Sequence, residues 1–149
     1  MKIKEQLCAE IDNNLSRKIE EVNKIIADAK LAKTEDTKSS AGDKYETSRE
    51  MAQQEIDKAE IQLAQLNTSL IELKKIDCNR VCEKVEFGSL VQTNTGTYFM
   101  AISMGKVMVN DEPVYAISMA SPIGKALAGK IEGEKVSFQE REILINSVC

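Results

Sequence analysis

Histidine and tryptophan are absent from the 149 residues. Without an imidazole, histidine-based acid–base chemistry and histidine metal ligation are excluded within this chain. Aromatic residues make up only 4%, which is thin for one large globular core and ordinary for a coiled coil plus a small domain. Proline occurs twice in the whole chain, and between Lys4 and Leu73 there is none; the one glycine in that stretch is Gly42. Missing too is any apolar run near the roughly 20 residues that span a bilayer. The opening Met1-Lys2-Ile3-Lys4-Glu5 leads into a charged amphipathic pattern instead of an apolar signal segment. A cytoplasmic protein with no membrane contact is expected.

What is there points to a folded, acidic protein. Hydrophobic residues make up 42% and charged residues 30%, so the chain has enough apolar surface to fold. The net charge is −4 at pH 7, whereas proteins that grip a duplex carry a basic face. Any contact with nucleic acid should therefore be local and assisted by a protein partner. The four cysteines are Cys8, Cys78, Cys82 and Cys149. Four thiolates could bind zinc, but only Cys78 and Cys82 are close in sequence, and their spacing suits a zinc knuckle poorly. Reduced thiols in a reducing compartment are the plainer reading.

The first half reads as two long helices. Ala52, Ile56, Ala59, Leu63, Leu66, Leu70 and Leu73 alternate in steps of four and three, a heptad seam. Leu7, Ile11, Leu15, Ile19, Val22, Ile25, Ile26 and Ala29 form a less regular stripe on the first arm. The polar stretch from Lys33 to Asp43 contains Gly42 and reads as the turn between antiparallel helices. A second arm from Asp43 to about Asp77 would be about 50 Å long at 1.5 Å per residue. The central break favours a hairpin within one chain, hence a monomer, over arms that pair with a second copy.

The pattern changes after Cys82. Val85 to Val91, Thr97 to Ser103, Val114 to Ser118, Lys135 to Phe138 and Glu142 to Val148 read as strands. Asn94-Thr95-Gly96, Gly105 and Asn110-Asp111-Glu112-Pro113 read as turns. Ser121 and Pro122 suit the cap and first position of a short helix. The expected fold class is α+β: an N-terminal antiparallel coiled-coil hairpin over residues 1–78, then a small mixed α/β domain over 79–149 with about five strands and one short helix.

The run Ile117-Ser118-Met119-Ala120-Ser121-Pro122-Ile123-Gly124-Lys125-Ala126-Leu127-Ala128-Gly129-Lys130, followed by Gly133-Glu134-Lys135-Val136, resembles the signature of the bacterial Gre transcript-cleavage factors. The resemblance implies an FKBP-like C-terminal domain. It also implies a coiled coil that enters the secondary channel of RNA polymerase and carries an acidic pair at its tip. Gly42-Asp43-Lys44-Tyr45-Glu46-Thr47 matches the family's tip motif at the glycine, the aspartate and the glutamate. It departs at Lys44, where the family has an apolar residue, and at Thr47, where it has asparagine. The first arm also lacks the family's Arg-Pro element. By this resemblance Asp43 and Glu46 would share a Mg²⁺ with the polymerase, weakly held in the isolated protein. Ser121, Pro122 and Ile123 would dock on the polymerase β′ rim. The chain would be an accessory factor and not an enzyme, stimulating the polymerase's own hydrolysis of backtracked RNA.

Residue types alone keep plainer readings open. Asp43 and Glu46 also fit a helix cap with its partner three residues on. Lys38, Lys44 and Arg49 could touch the RNA 3′ end by charge or be a solvated helix surface. Ser121 and Pro122 could simply start a helix. Four other functions compete: a channel-binding regulator without cleavage activity, an FKBP-like prolyl isomerase, a chaperone, and a coiled-coil adaptor.

Overall fold

The computed structural model describes residues 2–39 and 43–149, and the side chains of 2–34 and 46–149. Its elements run α1 (Lys2–Ser39), α2 (Asp43–Lys74), β1 (Leu90–Thr93), β2 (Gly96–Met100), β3 (Gly105–Val109), β4 (Glu112–Ile117), α3 (Pro122–Leu127), β5 (Lys135–Phe138) and β6 (Arg141–Val148). The class is α+β. No helix of the described residues is long and apolar enough to cross a membrane. The chain divides into two compact units, residues 14–70 and residues 1–13 with 71–149. The first turns of α1 thus belong with the sheet.

In the unit of residues 14–70, α1 and α2 pack through the predicted seam. Val22, Ile26 and Ala59 form a buried cluster, with Leu63 and Leu66 packed against it. Lys33 Nζ donates to Gln53 Oε1 nearer the turn. Early residues of α1 meet late residues of α2, so the two run antiparallel. The stripe on α1 needs one correction. Ile25 is 42% exposed, because its neighbours Val22 and Ile26 already fill the seam and a helix turns each residue by about 100°. The first helix also runs further than expected. The α1 helix continues through Lys33 to Ser39, a stretch with no proline or glycine to stop it. Thr34 Oγ1 donates to the Lys30 carbonyl and keeps to the helix. Gly42 lies outside the described residues.

In the other unit, six strands form one sheet in the order β3-β4-β2-β1-β6-β5. The β2–β4 pair is parallel and the other pairs are antiparallel. The expected five strands were one too few. Between the turn signals at Gly105 and Asn110, β3 alternates: Val107 and Val109 are buried while Lys106 and Met108 face out. Asn110 and Asp111 both take positive φ, 53° and 63°, the two-residue turn whose twist suits a hairpin. That turn closes Val109 onto Glu112. Pro113 is tolerated in β4 because pairing with β2 begins only at Tyr115.

The core of this unit gathers Val85, Val91, Met100, Leu127, Val136, Ile143 and Ile145. Val85, expected to open the first strand, pairs instead with the chain after α3: its N–H donates to the Lys130 carbonyl at 2.8 Å and its carbonyl accepts from Gly129 at 2.8 Å. Ser89 makes the bend between Val85 and β1. It is fully buried, and its Oγ accepts from Glu86 N–H (3.1 Å) and donates to the Glu86 carbonyl (2.7 Å).

Candidate functional site

The α2 helix begins at Asp43, immediately after the break between the two antiparallel helices. Glu46 sits in its first turn and is exposed. The side chains of Asp43, Lys38 and Lys44 lie outside the described residues, so their proposed roles rest on position alone. Glu46, Arg49, Glu50, Gln53 and Lys33 line one groove of about 400 Å³. A residue and its third neighbour along a helix share a face, which puts Arg49 beside Glu46. The expected acidic tip is therefore mixed in charge on its described side.

A magnesium ion takes six oxygens in near-octahedral geometry and keeps several waters. The described carboxylates in that groove, Glu46 and Glu50, offer fewer oxygens than that shell takes. Among the described residues no group of three or more acidic or thiol side chains could hold a metal.

The Ser121–Ile123 segment starts α3, and its geometry explains several letters of the motif. Ser121 is the N-cap. Its Oγ accepts from Gly124 N–H at 3.1 Å and donates to the Ser118 carbonyl at 2.7 Å. Pro122 occupies the first turn, where its missing N–H is no loss, and it is exposed. Gly124 is buried, and a Cβ there would stand 2.1 Å from the Ser118 carbonyl oxygen. Serine, proline and glycine are thus each accounted for by the turn they build.

Ile123 packs on the core and borders a cavity of about 390 Å³ with Tyr98, Phe138 and Ile143. Of the other aromatics that an isomerase pocket would need, Phe99 is fully buried in the core and Tyr115 is 38% exposed.

A cluster that sequence reasoning missed lies where the start of α1 meets the chain after α2. Lys4 is fully buried. Its ammonium donates to the Arg80 carbonyl at 3.0 Å and approaches Cys82 Sγ at 4.0 Å. Beside it, Cys78 Sγ donates to Cys8 Sγ at 3.1 Å. Burial first, then the hydrogen bond and charge of Cys78, push the Cys8 thiol up to about 12. Burial is also the main cause holding the Cys82 thiol above its ordinary value, against the pull of Lys4. No disulfide joins any of the four cysteines. A spacing of 70 residues carries no sequence signal for the Cys8–Cys78 pair; the one visible hint was that Cys8 neighbours the apolar stripe at Leu7.

No family model matches the chain, and no curated protein matches it. Among solved structures, it is similar to one described as the structure of the transcription factor Gfh1, at 22% identity over 92% of each chain with a TM-score of 0.35. At that score the likeness is too loose to decide either fold family or function.

Proposed function

We propose that the chain is an RNA polymerase-binding transcription elongation factor of the Gre type. In this reading the paired helices enter the secondary channel, and the FKBP-like domain docks on the β′ rim through Ser121, Pro122 and Ile123. Asp43 and Glu46 then lend carboxylates to a magnesium site whose remaining ligands come from the polymerase and the RNA phosphates. Lys38, Lys44 and Arg49 lie along the path of the RNA 3′ end. The factor performs no hydrolysis alone; it completes another enzyme's centre, as a monomer and in the cytoplasm.

The observation that carries this reading is the position of the acidic pair. The α2 helix starts at Asp43, just past the break between two antiparallel helices, with Glu46 exposed in the first turn. The motif from Ile117 to Lys130 supports it through the sequence resemblance. The test uses purified core polymerase in backtracked elongation complexes. Addition of the protein shortens the RNA from its 3′ end, and Asp43→Ala abolishes the shortening.

A second reading has its own support. Arg49 and Lys33 share a groove with Glu46, and Lys44 and Thr47 depart from the tip motif. Cations beside a carboxylate weaken its hold on a metal ion. A factor that occupies the channel and regulates without cleavage fits those residues. Binding to core polymerase with no cleavage products under the same conditions selects it.

A further inference from the structure

The structure assigns Cys8 and Cys78 as a reversible thiol–disulfide pair, a modification site that ties the start of α1 to the turn following α2. The two sulfurs lie 3.1 Å apart, and a disulfide needs about 2.05 Å. The remaining approach of about 1 Å would have to come from the turn that carries Cys78. Cys8 is fixed on a helix. Cys78 sits in a turn with bonds from Arg80 N–H to the Asp77 carbonyl (3.2 Å) and Asn79 N–H to Asp77 Oδ1 (3.0 Å), and its own Sγ also lies 3.7 Å from the Lys4 carbonyl.

Sulfur–sulfur distance, together with access, marks this pair among the four thiols. Cys8 and Cys78 are each partly exposed, so a small oxidant can reach them. Cys82 is 3% exposed and faces the Lys4 ammonium. Cys149 is also partly exposed, but it follows β6 and pairs with Leu90, its Sγ directed at the Leu90 carbonyl (3.8 Å).

The oxidant named here is a hydroperoxide. The thiolate of Cys78 attacks one peroxide oxygen; the O–O bond breaks, hydroxide leaves, and a sulfenic acid forms. The sulfur of Cys8 then attacks Cys78 Sγ, the S–S bond forms, the S–O bond breaks, and water departs with the Cys8 proton. Two thiols and one hydrogen peroxide give one disulfide and two waters. The order follows from chemistry. Burial raises the Cys8 thiol above its ordinary value and disfavours it as the nucleophile toward peroxide, which assigns Cys8 the resolving role. A dithiol reductant returns both thiols. The inference stands apart from the proposed polymerase role, since neither cysteine belongs to the tip or to α3.

The test treats the reduced full-length chain with hydrogen peroxide, quenches by alkylation in denaturant, and maps the peptides by mass. The expected result is a fall from four titratable thiols to about two. One Cys8–Cys78 cross-linked peptide should appear within a single chain, and dithiothreitol should restore all four thiols. In Cys8→Ser, Cys78 should stop at a sulfenic acid that dimedone traps. Cross-links to Cys82 or Cys149, cross-links between chains, or Cys78 oxidised to sulfinic acid beside an unreacted Cys8 would each overturn the assignment. Mapping wild-type protein keeps the test independent of how well any variant folds.

Discussion

Lys33 on α1 donates through its ammonium to the side-chain carbonyl of Gln53 on α2, and Gln53 in turn donates to Asp57 at 2.8 Å. The Lys33–Gln53 bond joins the two helices, while the Gln53–Asp57 bond orients the Gln53 amide along α2.

Lys33→Met removes the bond between the helices and should loosen their register. The bond is partly exposed, so the expected loss of stability is about 0.5–1.5 kcal/mol. Urea denaturation measures it. Amide exchange should rise in the residues flanking Lys33 and Gln53 while the sheet is unaffected. Unchanged exchange there would show that apolar packing alone holds the register.

The turn at α3 separates structural from docking roles. Ser121→Ala removes the N-cap and should cost about 1 kcal/mol. Gly124→Ala should cost more, on the order of 1–3 kcal/mol, because its Cβ would overlap the Ser118 carbonyl. Pro122 is exposed, so Pro122→Ala should shift the urea midpoint little. If the segment docks on polymerase, that variant should still bind core polymerase more weakly. Equal affinity in a binding titration would leave Pro122 as a helix starter alone.

The Cys8 thiol gives a pH dependence. Its folded value of about 12 lies above the ordinary 9.0, so folding favours the protonated thiol. The contribution is fully present below pH 9 and is lost as pH rises from about 9 toward about 12. Urea midpoints measured across that window should fall more steeply for wild type than for Cys8→Ser. Parallel curves would remove Cys8 as the source.

Much of the helical half was legible in the sequence, because a heptad seam needs only local spacing. Ala52, Ile56, Ala59 and Leu73 are buried as that spacing predicts. The failure at Ile25 comes from having two adjacent isoleucines, only one of which can face the seam. The length of α1 was underestimated because polar composition was taken as a turn, although polar residues make good helix surface. In the sheet, β3 was missed because its turn signals at both ends hid a four-residue alternation between them. The burial of Lys4 and its approach to Cys82 depend on chain segments more than 70 residues apart, and no periodicity encodes such a meeting. The helix start at Asp43 was legible from local signals. The cations beside Glu46 were legible as residues, but their shared groove needed the fold.

The central claim is that the first turn of α2 is delivered to the polymerase active centre. A photo-crosslinking amino acid in place of Glu46, irradiated in a complex with core polymerase, tests it most directly. The account predicts cross-links to the polymerase segment that bears the catalytic aspartates and to the RNA 3′ end in backtracked complexes. Cross-links confined to the outer surface of the polymerase, or none from a complex that demonstrably forms, would contradict it.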